Sequence, residues 1–212
     1  PRPAGIIGIN IGMNKNQMDP AKDYCALIRS LGPYADYITV NISSPNTPGL
    51  RNLQQRENLL PLLEQIMAER KKSCGTQSPP PLLVKLAPDL DDAQQENISS
   101  ALLESGIDGL ILTNTTLGRP DDVPYPFREQ PGGLSGQPLK DRATQVISNM
   151  YRLTNGKLPL VGAGGVSSAQ DAYDKIRAGA SLVQLYTALV FKGPGLVRDI
   201  NTGLSALLAR DG

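Results

Sequence analysis

One lysine stands inside an apolar run, where a charged side chain is unusual. Lys85 lies between Val84 and Leu86, and lysine is rarely buried without a partner. One interpretation is an edge-strand lysine that keeps its ammonium group in water. The other is a cation that stabilises an anionic cofactor or intermediate.

A glycine-rich turn, Gly162-Ala163-Gly164-Gly165, precedes a helix that we expect Ser168 to cap and Gly179 to end. Backbone N–H groups at such a turn and at a helix N-terminus can bind an anion. Counted back from the C-terminus, the turn follows what would be strand seven of a barrel, and Tyr186-Thr187 follows strand eight. Barrels often bind phosphate in these two loops.

The segment 41–50 is rich in Asn, Ser and Pro. This segment either forms ordinary turns, which these residue types favour, or forms a lid that carries a catalytic group. Other strand ends show the same ambiguity, because Asn, Ser and Gly commonly start turns. Taken together they favour a site, since active sites of parallel α/β folds form at the carboxyl ends of strands. The residues at these ends are Asn10, Asn41 with Ser43 and Ser44, Lys85, Thr113 with Asn114, Gly164 with Gly165, and Tyr186 with Thr187.

Six β-branched runs alternate with amphipathic stretches and predict six βα units. The runs are 5–11, 37–42, 82–86, 109–114, 158–162 and 182–186. Asp19 with Pro20 begins the first helix, and Asp92 with Gln95 resembles a capping box for the third. Further helices are predicted near 58–72, 141–153 and 195–210.

Two architectures fit this pattern, an open doubly wound sheet and a closed barrel. A TIM (β/α)8 barrel has eight units, and the chain begins at Pro1, without Met, just before a strand. We therefore expect residues 1–212 to be the C-terminal portion of a single α/β barrel domain that supplies the last six βα units.

Composition excludes several functions. Lys plus Arg number 21 and Asp plus Glu number 20, so the basic excess of a nucleic-acid-binding protein is missing. The chain has no histidine, which excludes Ser-His-Asp catalysis and His-bearing zinc sites. Cys25 and Cys74 lack metal-ligand and Cys-x-x-Cys spacing. We expect no metal site, and neither a signal peptide nor a membrane-spanning run is visible.

Six blocks, in order, resemble the dihydroorotate dehydrogenase family. They are Asn41 to Leu50, Val84 to Leu90, Thr113 to Thr116, Gly132 to Gly136, Gly164 to Val166, and Gln184 to Thr187. The resemblance implies a barrel that contains FMN and oxidises (S)-dihydroorotate to orotate in de novo pyrimidine (UMP) biosynthesis. In the family, further contacts to FMN and substrate lie on the first two strands, which this chain lacks.

The resemblance also implies roles for individual residues. Ser44 matches the catalytic base, which is Cys in the family's soluble members. Ser44 thus implies the quinone-using class, a peripheral protein of the mitochondrial or bacterial inner membrane whose N-terminal extension contacts membrane and quinone. The positions that match substrate contacts are Asn41, Asn46, Asn114 and Thr115. Those that match FMN contacts are Asn10, Asn41, Lys85, Thr113, Gly136, Gly164, Gly165, Tyr186 and Thr187.

Two rival functions remain open. One is another phosphate-binding barrel, a lyase or isomerase that uses Lys85 as a Schiff-base amine. The other is a non-catalytic fragment that binds flavin or phosphate. Either way, we expect the missing N-terminal barrel segment to be a required partner.

Overall fold

The computed structural model describes residues 4–75, 78–121 and 123–211. The strands are β1 Gly8–Ile11, β2 Tyr37–Asn41, β3 Leu82–Leu86, β4 Gly109–Leu112, β5 Leu160–Ala163 and β6 Leu182–Gln184. The α-helices are α1 Pro20–Leu31, α2 Arg56–Cys74, α3 Asp92–Ser105, α4 Lys140–Leu153, α5 Ala169–Arg177, α6 Thr187–Lys192 and α7 Gly195–Asp211. Short 3-10 helices lie at Gly32–Tyr34, Leu50–Gln54, Phe127–Glu129 and Gln137–Leu139.

The strands form one parallel sheet in which each strand pairs with the next along the chain, in the order β1-β2-β3-β4-β5-β6. A doubly wound sheet would reverse this order at a switch point, whereas an α/β barrel keeps chain order throughout. The sheet is therefore of the barrel type. Within the described ranges β1 pairs only with β2, and β6 only with β5, so both outer edges lack a neighbouring strand.

The main core lies between the sheet and its helices. Strand residues Val40, Val84 and Leu110 are fully buried there, as are Ile28 of α1 and Leu63 of α2. Burying each such side chain contributes about 1.5–3 kcal/mol relative to leaving it in water. This core holds the strands against the helices, and the carboxyl ends of the strands remain available to form a site.

Local capping signals explain most helix boundaries. Asp19 caps α1 by accepting a hydrogen bond from Ala21 N, and Ser168 caps α5 by accepting one from Asp171 N. The capping box of α3 forms one residue earlier than expected, between Asp91 and Gln94. The sequence Asp-Asp-Ala-Gln-Gln offers this box in two registers, and the structure uses the first.

Several strands are shorter than expected. β4 ends at Leu112 and β6 at Gln184, so Thr113, Asn114 and Tyr186 lie just beyond their strands. Helix α6 was not predicted, because its apolar residues continue the run that begins in β6. In the described part of the chain, no helix is long and apolar enough to cross a membrane.

Candidate active site

A cavity of about 770 Å³ extends from Gly8 and Tyr37, the first residues of β1 and β2, to the carboxyl edge of the sheet. This is the edge at which parallel α/β folds build their sites. The predicted site residues that line it are Asn10, Lys85, Thr113, Asn114, Thr115, Gly136, Gly164, Gly165, Tyr186 and Thr187. The fold therefore brings ten dispersed residues to one cavity.

Three predicted residues, Asn41, Ser44 and Asn46, do not line the cavity wall. Asn41 is the last residue of β2 and is hydrogen-bonded to Asn114, which does line the wall. Ser44 and Asn46 follow in the loop after β2. Their part of the site therefore lies beside the cavity rather than in it.

Lys85 projects from β3 into the cavity. β3 lies between β2 and β4, so the edge-strand interpretation of Lys85 is wrong. Burial lowers the pKa of this lysine, and in the described ranges its ammonium group has no hydrogen-bond or ion-pair partner. A partly buried, unpaired cation is suited to bind an anionic or electron-rich ligand.

An amide network joins the ends of β2 and β4. Asn114 Nδ2 donates to Asn41 Oδ1 and to Ser43 Oγ, each at 3.1 Å. Asn114 Oδ1 accepts a hydrogen bond from Thr115 N at 2.8 Å. Tyr24 supports the network from behind, since its buried hydroxyl donates to the carbonyl oxygen of Asn41 at 2.9 Å. These bonds fix the orientation of amides that can recognise imide and carbonyl groups.

Ser44 is half-buried, and its Oγ accepts a hydrogen bond from Asn46 N at 3.2 Å. The side chain of Asn46 is exposed and approaches Gly132 from the long loop that follows β4. In that loop a Cβ on Gly133 would lie 2.9 Å from Pro45 and 1.8 Å from Thr115 Oγ1. The loop that carries Ser44 therefore packs tightly on the loop after β4, and only glycine fits at the contact.

The glycine turn after β5 has the backbone that its sequence suggested. Gly164 has φ +110° and Gly165 has φ +74°, a region that favours glycine. A Cβ on Gly165 would lie 2.5 Å from the Cβ of Lys140. The absence of side chains thus lets α4 approach the turn closely.

Asp171, in the first helical turn of α5, fixes the position of Ser167, which follows the glycine turn. Its Oδ2 accepts hydrogen bonds from Ser167 N and Ser167 Oγ, both at 3.0 Å, and Lys140 Nζ lies 3.3 Å from its Oδ1. Burial acts to raise the pKa of Asp171, but the hydrogen bonds from Ser167, Ser168 and Lys140 outweigh it, so the pKa lies below its ordinary value. The ionised carboxylate therefore stays in place at neutral pH.

The glycine turn has neighbours from two other loops. Thr187 Oγ1 donates to Ser135 Oγ at 2.9 Å, which joins the start of α6 to the loop after β4. Gln137 Nε2 donates to the carbonyl oxygen of Gly165 at 2.9 Å. Hydroxyl and backbone groups from three loops thus converge at this end of the cavity, an arrangement suited to a phosphate group.

Sequence patterns alone missed several of these residues. Asp171 could have been found from the local sequence. An acidic residue in the first turn of a helix commonly accepts hydrogen bonds from backbone N–H groups at the helix start, and Asp171 lies four positions after Ser167. Gln137 and Arg51 could not have been found in this way, since their contacts join segments that are far apart in the chain.

Comparisons with known proteins identify the family to which the chain belongs. The dihydroorotate dehydrogenase family model matches residues 2–208. The mouse protein dihydroorotate dehydrogenase (quinone), mitochondrial, is 53% identical over 97% of this chain and 52% of its own length. The Rhodospirillum rubrum protein dihydroorotate dehydrogenase (quinone) is 51% identical over 100% of this chain and 57% of its own length. The chain thus spans about half the length of the curated relatives it matches.

The fold is also similar to solved structures. The crystal structure of DHODH from Eimeria tenella in complex with ferulenol has a TM-score of 0.93 and 39% sequence identity, over 98% of this chain and 59% of that one. The match extends over the whole sheet and its helices, which identifies the fold as part of a TIM barrel. Because the family model covers nearly all of the sequence, this chain belongs to the dihydroorotate dehydrogenase family.

Proposed function

We propose that these residues form the C-terminal portion of a single FMN-binding barrel that oxidises (S)-dihydroorotate to orotate and passes the electrons to a quinone. The cavity carries this proposal, because it places an unpaired cation and a glycine-rich anion turn at separate positions along one wall. Family membership supports the oxidoreductase over a lyase or isomerase that would use Lys85 as a Schiff-base amine.

The chain's residues fit FMN. The glycine turn follows β5, two strands from β3 and Lys85. At about 4.8 Å per strand this separation is about 10 Å, which suits a ligand with a phosphate at one end and a flat ring system at the other. Gly164, Gly165 and Thr187 would hold the phosphate. The remaining FMN contacts would come from Asn10, Thr113, Gly136 and Tyr186 on the cavity wall, and from Asn41 beside it.

Lys85 would lie at the ring end of the ligand. When bound, FMN would supply the site that accepts a hydride from the substrate. The ammonium group of Lys85 would then stabilise the negative charge that gathers on that side of the cavity. Its partly buried position strengthens this interaction, because charges attract more strongly where water is excluded.

The substrate would lie against the amide network. Asn41, Asn114 and Thr115 are already joined by hydrogen bonds, and Asn46 would complete the set from the loop after β2. Each amide offers donors and an acceptor, which suits the ring's imide and carbonyl edges.

Ser44 would take the proton that leaves the substrate carbon next to the one that loses the hydride. A serine hydroxyl is a weak base, so its own proton must pass to water or to a neighbouring hydroxyl. Removal of one proton and one hydride from adjacent carbons gives orotate, and the quinone is reduced to the quinol.

We also propose that the complete protein is peripheral to a mitochondrial or bacterial inner membrane, through a segment outside these residues. The names of the relatives support this, since they include mitochondrial and bacterial quinone enzymes.

The test is to purify the complete barrel, meaning these residues together with the segment that supplies its first strands. The protein should be yellow, and dihydroorotate should bleach its flavin absorbance under anaerobic conditions. A quinone should then restore the absorbance. A colourless protein that forms a borohydride-trapped adduct at Lys85 would instead establish the Schiff-base function.

A further inference from the structure

Arg51 joins three loops at the carboxyl edge of the sheet. Its Nε donates to the carbonyl oxygen of Ser43 at 3.1 Å, in the loop after β2. Its Nη1 donates to Asp89 Oδ2 at 2.7 Å, after β3, and its Nη2 donates to the carbonyl oxygen of Thr115 at 2.9 Å, after β4. Every nitrogen of the guanidinium group is therefore used, each on a different loop.

These contacts fix the peptide groups next to site residues. The carbonyl of Ser43 belongs to the same peptide unit as the amide of Ser44, so the direction of this carbonyl determines where the Ser44 side chain begins. The carbonyl of Thr115 is likewise part of the peptide unit that continues the loop after β4. Arg51 thus sets the relative orientation of the two loops without lining the cavity itself.

Asp89 extends the connection. It accepts a hydrogen bond from Leu117 N at 2.9 Å and another from the hydroxyl of Thr116. The Arg51 and Asp89 side chains are 20% and 29% exposed, so water screens the pair only partly. The pair therefore ties the loop after β4 to the loop after β2 through both main-chain and side-chain bonds.

Only arginine can make this arrangement. Its planar guanidinium group presents donors in fixed, divergent directions, whereas a lysine ammonium is a compact charge on a flexible stem. Lysine at position 51 would retain the attraction to Asp89 but could not also hold the carbonyls of Ser43 and Thr115 in the same geometry.

We propose that Arg51 is a positioning residue, which with Asp89 holds the Ser44 loop against the Asn114–Thr115 loop in the arrangement that proton abstraction needs. The proposal rests on the proposed function of Ser44. It is tested by Arg51→Lys in the complete barrel, with Arg56→Lys as the matched control. Arg56 lies on α2 and contacts Ser100 and Glu104 on α3, away from the cavity.

Two measurements are made on each variant. The first compares the two half-reactions, flavin reduction by dihydroorotate and flavin reoxidation by quinone. Arg51→Lys should slow flavin reduction about 10²-fold, the cost of a small misplacement of reacting groups, and leave reoxidation and FMN content unchanged. The second is hydrogen exchange, in which the amides of 43–50 and 114–118 should exchange faster in Arg51→Lys and not in Arg56→Lys.

Each outcome decides the proposal. Unchanged flavin reduction in Arg51→Lys overturns it, as does an equal loss in both half-reactions together with loss of FMN, because that result indicates a merely structural role. If the wild-type protein shows no dihydroorotate-dependent reduction, the proposed function fails, and hydrogen exchange alone decides whether Arg51 holds the loops. If Arg51→Lys does not fold, Asp89→Asn should give the same half-reaction pattern, and normal reduction in that variant overturns the proposal.

Discussion

The side-chain amide of Asn114 donates to Asn41 Oδ1 at 3.1 Å, which joins the loop after β4 to the last residue of β2. Ser43 takes part in the same network, since Asn114 also donates to its Oγ. The next residue, Ser44, stays outside it. Its Oγ accepts from Asn46 N, and this leaves the hydroxyl proton of Ser44 uncommitted to the amide network. The two adjacent serines therefore have different hydrogen-bond partners, since Ser43 Oγ is bonded to the side-chain amides and Ser44 Oγ is not.

We predict that Ser44→Ala in the complete barrel slows flavin reduction by dihydroorotate by about two to four orders of magnitude, the usual contribution of a general base. FMN content should stay the same, because Ser44 does not line the cavity. Stopped-flow absorbance checks the rate. Ser30→Ala, at an exposed position on α1, serves as the control. Near-normal reduction in Ser44→Ala would show that another group takes the proton.

We predict that Lys85→Met in the complete barrel weakens FMN binding and slows flavin reduction, because it removes an unpaired cation from the cavity. Burial lowers the pKa of Lys85, so the wild-type charge is lost at lower pH than that of an exposed lysine. FMN affinity in the wild type should therefore fall as pH rises toward 10.5, the ordinary lysine pKa. Fluorescence titration with FMN over this range measures the effect.

The matched control for Lys85 is Lys71→Met, at an exposed position on α2. This variant should keep the wild-type affinity and its pH dependence. Lys85→Met should lose that dependence, because the titrating group is gone. A variant that binds FMN as tightly as the wild type would contradict a role for Lys85 in the flavin site.

Helix caps and strands could be predicted from short stretches of sequence. Contacts between segments that are distant in the sequence could not. Asp19 and Ser168 cap their helices as predicted, because a cap needs only a few neighbouring residues. The cavity residues were predicted through strand ends and family resemblance. Arg51 was missed, since its partner Thr115 lies 64 residues away and nothing in the sequence around either residue reports the contact.

We predict that Gly165→Ala in the complete barrel lowers FMN retention. The residue has φ +74°, and an added Cβ would lie 2.6 Å from the Cα of Lys140, so the turn must distort. Gly193→Ala separates backbone strain from steric overlap. Gly193 has φ +75°, but no atom lies within 4 Å of the added Cβ. The flavin-to-protein ratio after purification should fall in Gly165→Ala and remain normal in Gly193→Ala. Equal ratios in both would mean that the close approach at the turn is not needed for binding.

We predict that Lys175→Met stabilises the protein at pH 7. Lys175 is fully buried on α5, and its Nζ donates to Thr144 Oγ1 at 3.1 Å. Burial outweighs the attraction of Asp171 and lowers the pKa of Lys175 to about 8. Keeping it charged at pH 7 then costs about 3 kcal/mol. Methionine fills the same space without that charge, so the free energy of unfolding should rise by about 1–3 kcal/mol.

The free energy of unfolding of the wild type should depend on pH in a way that Lys175→Met does not share. Between pH 8 and 10.5 the unfolded lysine still holds a proton that the folded lysine has released. The wild type therefore becomes more stable as pH rises through this range, and the advantage of Lys175→Met should shrink. Urea unfolding from pH 7 to 9.5 measures it, with Lys157→Met at an exposed position as control. An advantage that stays constant with pH would mean that charge burial is not its source.

We predict that residues 1–212 alone do not make a working enzyme, because within the described ranges neither edge of the six-stranded sheet has a neighbouring strand. Unpaired N–H and C=O groups on such edges promote aggregation. Large apolar side chains are also uncovered near them, including Ile6 at 83% exposure before β1, and Leu182 at 65% and Phe191 at 83% in and after β6. Marginal stability leaves little to offset this loss of burial.

The measurement is to express residues 1–212 with and without the N-terminal segment of the Rhodospirillum rubrum relative, and to compare FMN retention and dihydroorotate-dependent dye reduction. The chain alone should aggregate or lose flavin, and the added segment should restore both properties by covering the edges at β1 and β6. A yellow, active monomer of residues 1–212 would contradict the prediction, because it would show that the six strands suffice to hold FMN and to position Ser44 for catalysis.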